Sequence, residues 1–288
     1  MTALCRVQPN HPYRGLWAAV ATMHGKERAI APPLCQWFGI TLTTAPAVDT
    51  DALGTFTGEV PRVGTVVEAA RLKARLAIET TGADLGIGSE GAFGPHPHAP
   101  FTAAGLEVLV LCEAAGSHDI VVQRRTTTNL GHIILGPLDG IETFLQRAGF
   151  PSHALVVQRD NPARTMIAKG IADAASLRAA LTKAFATGDR ALATTDMRAH
   201  VNPTRMSSIA RLARHLALRT ARLCSCCGRP GFGLVDVERG LPCRDCEQPT
   251  RRIRAEIYGC TTCGHRMQRK IRPPRLSSDP MWCEVCNP

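Results

Sequence analysis

Four Cys-x-x-Cys pairs crowd the end of this 288-residue chain: Cys224/Cys227, Cys243/Cys246, Cys260/Cys263 and Cys283/Cys286. Two-residue spacing lets both sulfurs of a pair reach one ion, and two pairs complete a tetrahedral zinc site. Fifteen residues separate the first and second pairs and nineteen the third and fourth, both within ribbon spacing. Two zinc ions are therefore expected. Sequential pairing, first with second and third with fourth, is the arrangement expected; a crossed one is the alternative. Four ligands per ion leave no open position, so the metal is read as structural. Two small sites that cannot build a core are expected to fold only with metal. Cys226 lies between two ligands and is not counted as one, and four complete pairs make His265 unnecessary. Gly228 and Gly264 each follow a second cysteine, where a knuckle needs positive φ.

Nine of the twelve cysteines fall in this tail, and in a reducing compartment such clustering argues for metal rather than disulfides. Cys5, Cys35 and Cys112 stand alone and read as small apolar residues in or near a core. Hydrophobic residues make up 44% and charged residues 20%, enough for a normal core and against wholesale disorder. No apolar run reaches membrane-spanning length, and the start lacks an apolar signal core, so the expected location is the cytoplasm.

The formal charge of +10 points towards polyanions less than it first suggests. From Arg219 onward thirteen Lys/Arg face seven Asp/Glu, a balance of +6. Two zinc ions held by eight thiolates would bring about −4, leaving the tail near +2. Basic runs around Arg251, Arg252 and Arg254, and again at Arg266, Arg269, Lys270, Arg272 and Arg275, suit phosphate contacts. Aromatic side chains for base stacking are few, Tyr258 and Trp282 among them. Nucleic acid or protein is thus a candidate partner of the tail, and no membrane is.

Ahead of the tail the chain alternates strand and helix signals, the pattern of an α/β domain over residues 1–218, with the zinc module at 219–288. Leu16–Ala21 reads as a strand entering the turn Thr22–Lys26, and a helix follows whose length Pro32 and Pro33 limit. Gly39–Thr44 is a strand candidate, and residues 49–64 are polar and turn-rich. Val66, Val67, Ala70, Ala74 and Ala77 space a helix over about 65–80, stopped by Gly82. A short strand at 84–89 leads into a Gly-rich turn at 90–95. Two strands, 106–115 and 119–127, form a hairpin across Gly116-Ser117. A helix near 141–148, a strand near 154–158, a helix near 172–186 and a strand near 191–195 follow. Asn202 caps a long helix with Pro203 in its first turn.

The stretch Gly64–Ala74, then Thr81-Gly82, then Ser89-Glu90-Gly91, resembles the central signature of inosine triphosphate pyrophosphatases, which share an α/β, mixed-sheet fold with the related Maf proteins. Met23–Lys26 is placed like that family's first phosphate loop, and Asp196–Arg205 resembles its late base-contacting segment. The whole chain also resembles an uncharacterised bacterial family that joins these two parts. The first resemblance implies a metal-dependent hydrolase acting on nucleoside triphosphates. Glu68, Lys73 and Glu90 would form the catalytic group, the two glutamates holding Mg²⁺. Lys26, Ser89, Arg198, His200 and Arg205 would bind the substrate. Here one acid, Glu90, stands where the family presents two, which also suits a non-catalytic nucleotide sensor.

The residues have plainer readings beside this. Glu68 pairs with Arg71 on an exposed helix face, or serves the pocket. Lys73 is a solvated charge, or meets phosphate. Glu90 sits in Gly-Ser-Glu-Gly, where a turn has no need of a carboxylate. His96 and His98 alternate in a proline-fixed loop, as metal ligands or as surface histidines. Asp196, Arg198 and His200 alternate before a helix N-terminus, a natural anion site, or merely decorate it.

Overall fold

The computed structural model describes residues 10–54, 60–116, 118–186, 188–271 and 276–288. Cys5, Ser117, Arg272 and Arg275 lie outside the described residues. The chain divides into two compact units, a front unit of Tyr13–Leu216 and a tail of Ala217–Pro288 that also includes the short segment around His11. His11 contacts the Thr220 carbonyl at 3.0 Å.

The front unit is α/β and contains two sheets. The first has strand order β2-β1-β3-β4-β5, built from β1 (Trp17–Val20), β2 (Thr41–Thr44), β3 (Leu85–His96), β4 (Ala99–Glu113) and β5 (Asp119–Thr127). It is mixed: β1 runs parallel to β2 and β3, and the β3-β4-β5 meander is antiparallel. Helices α1 (Glu27–Phe38) and α2 (Val66–Thr81) make the crossovers from β1 to β2 and from β2 to β3. These run in opposite directions across the sheet, so right-handed connections place the two helices on opposite faces.

Three expectations are corrected here. The prolines do not limit α1, which continues through Pro32 and Pro33 to Gly39 because it buries Ile30, Pro33, Leu34 and Phe38. The Gly-rich stretch 90–95 is not a turn but the second half of β3, paired with β4 as far as His96. Its neighbouring glycines serve packing: a Cβ on Gly88 would lie 1.7 Å from the Ala70 carbonyl oxygen, so α2 rests directly on the strand. Cys35 is exposed, whereas Cys112 is buried as expected.

A second, four-stranded antiparallel sheet has the order β6-β9-β7-β8. It comprises β6 (His132–Leu135), β7 (Leu155–Arg159), β8 (Met166–Ile171) and β9 (Ala191–Thr195), with α3 (Glu142–Ala148) and α4 (Ala174–Phe185). Leu155, Val157, Ile171, Leu177 and Ala184 build its core. Helix α5 (Pro203–Thr220) starts where Asn202, fully buried, accepts the Arg205 amide at 3.0 Å, the expected cap.

The tail is a three-stranded antiparallel ribbon, β10 (Gly233–Arg239), β11 (Ile253–Gly259) and β12 (Arg266–Lys270). Four knuckles share one turn, in which the amides of Gly228, Glu247, Gly264 and Asn287 donate to the carbonyls of Cys224, Cys243, Cys260 and Cys283. Gly228 and Gly264 take φ of 70° and 73°. Glu247 holds the equivalent place at φ 62°, a conformation that costs a side-chain-bearing residue. No helix among the described residues is long and apolar enough to cross a membrane.

Candidate functional site

In the tail the cysteines form two groups, but the pairing is crossed rather than sequential. Cys224 and Cys227 meet Cys260 and Cys263, while Cys243 and Cys246 meet Cys283 and Cys286. The strands explain this. A seven-residue β10 carries the chain roughly 20 Å from the first knuckle to the second, and antiparallel β11 returns it to the third. β12 then leads away to the fourth. Sequence neighbours therefore stand at opposite ends of the ribbon. Facing sulfurs are 3.7 Å apart for Cys224–Cys263 and Cys227–Cys260, 3.9 Å for Cys243–Cys286 and 3.6 Å for Cys246–Cys283. Each group is placed to hold one metal ion.

In the front unit a cavity of about 450 Å³ opens between the two sheets. One wall carries His24, Asp51, Arg62 and Gly91–Phe93; the other carries Val156, Gln158, Lys169 and Thr194–Arg198. Three cations line it, Arg62, Lys169 and Arg198. Asp196, almost wholly buried, orients Arg198 by a bidentate contact, with Nη2 to Oδ2 at 2.6 Å and Nε to Oδ1 at 3.0 Å. The Gly170 amide also donates to Asp196.

Behind the first wall lies a buried charged layer. Lys73 from α2 donates to Glu90 at 2.6 Å, and Arg62 reaches Glu90 at 3.5 Å and donates to the Gly91 carbonyl at 2.8 Å. Burial pushes the Glu90 pKa up, but Lys73 and Lys26 beside it outweigh that and hold it below the usual range. Lys26, at the start of α1, donates to the Ser89 carbonyl at 3.2 Å. Burial, and then Arg205 nearby, lowers its pKa to about 7. The Ser89 hydroxyl, 1% exposed, has no partner. Lys26, Lys73, Ser89 and Glu90 are thus brought together, one layer behind the cavity wall.

Glu68 is not among them. It is exposed, and its carboxylate accepts the Thr65 amide at 2.7 Å while the Thr65 hydroxyl accepts the Glu68 amide, a capping box at the start of α2. Those bonds hold its pKa below the usual range. Arg205 also departs from the expected role: it does not line the cavity. Its side chain is fully buried, bound to Glu107 at 2.7 Å and to the Met197 carbonyl at 2.5 Å, and it packs over Phe93. A Cβ on Gly91 would fall 2.8 Å from this guanidinium, which is why the strand carries glycine there. His200 stacks on His24, ring centroids 4.9 Å apart. Burial lowers both imidazole pKa values, that of His24 to about 4, so the pair is neutral at pH 7. His96 and His98 face each other at 6.0 Å, and the His98 amide donates to His96 Nδ1; among the described residues they join no group of metal ligands.

Residues 73–288 match a family described as Domain of unknown function (DUF6671). The chain belongs to this family. Both cysteine groups fall inside the match, as do Glu90, Lys169, Asp196 and Arg198; Lys26, Arg62 and Glu68 precede it. No curated protein and no solved structure matches the chain.

Sequence reasoning did not single out Arg62, Lys169 or Asp51. Arg62 lies in the segment read only as polar and turn-rich, and Lys169 in β8, whose Lys169-Gly170 interruption hides the strand pattern.

Proposed function

We propose that this family member binds a phosphate-bearing small molecule of the nucleotide class in its front-unit cavity, and that its tail holds two structural zinc ions. The observation that carries the first reading is three cations, Arg62, Lys169 and Arg198, around one cavity of nucleotide-accommodating size. Phe93, Leu130, Val156 and Met197 supply apolar surface in the same cavity against which a base would rest. The resemblance of Gly64–Gly91 to inosine triphosphate pyrophosphatases supports the same ligand class. For the tail, two sulfurs bound 2.3 Å from one tetrahedral zinc stand about 3.8 Å apart, and the facing sulfurs match that spacing.

Hydrolysis assisted by Mg²⁺, which the resemblance also implies, finds no fitting donor set among the described residues. Glu68 is spent on a helix cap and Glu90 is closed by Lys73. A binding or sensing role is favoured over catalysis. For the tail, exposed Arg266, Arg269 and Lys270 on the outer strand β12 favour a polyanionic partner.

Calorimetric titration with nucleoside mono-, di- and triphosphates tests the front site, with phosphate release followed in parallel. Binding is expected to be lost in Arg198→Ala, which also lowers melting because it leaves the buried Asp196 carboxylate unpaired, and to be weakened in Arg62→Ala, whose partly exposed side chain tolerates removal. Binding of every nucleotide unchanged by Arg198→Ala removes the cavity from consideration, and sustained phosphate release would restore the catalytic reading.

A further inference from the structure

We propose that the front-unit site takes its ligand as the metal-free phosphate anion, with fixed side-chain cations standing where a divalent ion would otherwise be recruited. This rests on the phosphate-site reading above. A divalent ion at a phosphate site needs one or two carboxylates with open lone pairs facing the ligand. Among the described residues of this unit each acid near the cavity but Asp51 is already committed. Glu90 holds Lys73 and Arg62, Glu107 holds Arg205, and Asp196 holds Arg198. Asp51 alone faces a neutral partner, His24 at 3.5 Å, and one half-exposed carboxylate does not make a divalent site. Among the described residues no three His, Cys, Asp or Glu ligand atoms converge except in the two cysteine groups.

Charge counting points the same way. Among the described residues, with Lys26 counted as protonated, the cavity and the layer behind it contain six cations (Lys26, Arg62, Lys73, Lys169, Arg198 and Arg205) and four carboxylates (Asp51, Glu90, Glu107 and Asp196). The excess is two positive charges, the complement of a doubly charged phosphate. Buried charge of one sign is costly until it is paired. Lys26 has three protons to give and spends one on the Ser89 carbonyl, and the Ser89 hydroxyl beside it is an unpartnered donor. An anion in the cavity, one layer away, would favour the charged form of Lys26 and restore its proton. A divalent ion would instead double the excess.

Inorganic pyrophosphate is the probe. The full chain is titrated calorimetrically in buffer stripped of divalent ions by a chelating resin, which leaves tightly held zinc in place, and again with Mg²⁺ in excess. The expected result is binding in stripped buffer at least as tight as with Mg²⁺. Arg62→Ala, whose side chain is 32% exposed and so tolerates removal, should weaken the metal-free binding about tenfold. Glu90→Gln should bind as tightly or more tightly, because it frees two cations. Should Glu90→Gln fail to fold, the wild type and Arg62→Ala still decide. Binding that appears only with Mg²⁺, or tightens about tenfold with it, overturns the metal-free proposal and leaves the phosphate site standing. No binding in either buffer removes the phosphate site itself, and this proposal with it.

Discussion

The front unit and the tail solve the same problem by opposite means. The front unit buries apolar side chains from two sheets and five helices, and a buried layer beside its cavity pairs acid with base, Lys73 with Glu90 and Arg205 with Glu107. Among its described residues the tail has three short strands, a five-residue β12 with every side chain exposed, and a small apolar core of Phe232, Leu241, Ala255 and buried cysteines. Eight sulfurs in two groups stand where a larger core would. The difference implies that the two units fail for different reasons: one when a buried charge loses its partner, the other when a metal is lost.

The largest effect is expected in the tail. Elemental analysis of the full chain should find two zinc ions. Removing them should abolish the ribbon's structure while most helical signal, which comes from the front unit, remains. The crossed pairing makes a sharper test. Cys224→Ser with Cys260→Ser strikes one site twice and should leave one ion, whereas Cys224→Ser with Cys243→Ser strikes both and should leave none. Sequential pairing demands the reverse.

In the front unit the corresponding weak point is Arg205 with Glu107. Arg205→Met leaves a carboxylate buried at 2% exposure without its partner, and should cost about 3–5 kcal/mol in denaturant unfolding. Adding Glu107→Leu should recover much of that loss, because the penalty lies in the orphaned charge. The zinc content of both variants should stay at two. A fall in zinc would mean the units do not fail independently.

How far the sequence announced each unit follows from the same contrast. The eight cysteines of the two groups were legible because spacing alone defines a knuckle, and the pairing was not, because it depends on which way β11 returns. In the front unit, helix α2 was legible from its apolar spacing and its Gly82 stop. The β3 extension was hidden because Gly91 and Gly94 carry the signal of a turn, whereas Gly91 is there for close approach by Arg205. The Lys73–Glu90 grouping was anticipated through a resemblance, not from residue pattern. The cavity cations Arg62 and Lys169 come from segments far apart in sequence, and only tertiary folding brings them to opposite walls of one cavity. Glu68 shows the reverse error: Thr65-Val66-Val67-Glu68 is itself a capping-box pattern, and the resemblance drew attention past it.

A pH titration sharpens the account of the charged layer. The Lys26 pKa falls from 10.5 to about 7 in the folded chain, so between these values the unfolded state binds the more protons. Stability contributed by this group therefore rises with pH from about 7 to 10.5, and its penalty is complete below that window. The melting difference between wild type and Lys26→Met isolates the effect, since other groups titrate equally in both. Lys26→Met should gain most, relative to wild type, near neutral pH, and the gain should shrink towards pH 10. A pyrophosphate-saturated sample should lose that trend, because the anion holds Lys26 charged. A difference that is flat with pH would show that Lys26 is not desolvated as the geometry indicates.

The smallest effect concerns Glu68, and it separates a cap from a catalytic carboxylate. Thr65→Ala removes the hydroxyl that accepts the Glu68 amide and should cost about 1 kcal/mol. Glu68→Ala removes only the return bond to the Thr65 amide on an exposed turn, so its loss in melting temperature should be smaller than that of Thr65→Ala. Glu68→Gln keeps an acceptor at the same reach, and glutamine completes a capping box as glutamate does, so its melting should fall closest to wild type. Pyrophosphate affinity should be unchanged in both Glu68 variants, with or without Mg²⁺, because nothing at this cap reaches the cavity lining. Were Glu68→Gln to keep its melting temperature and yet lose pyrophosphate binding, the carboxylate charge would matter to the ligand and not to the helix. The assignment of Glu68 to the cap alone would then be wrong, and the pyrophosphatase-like metal site would have to be reconsidered.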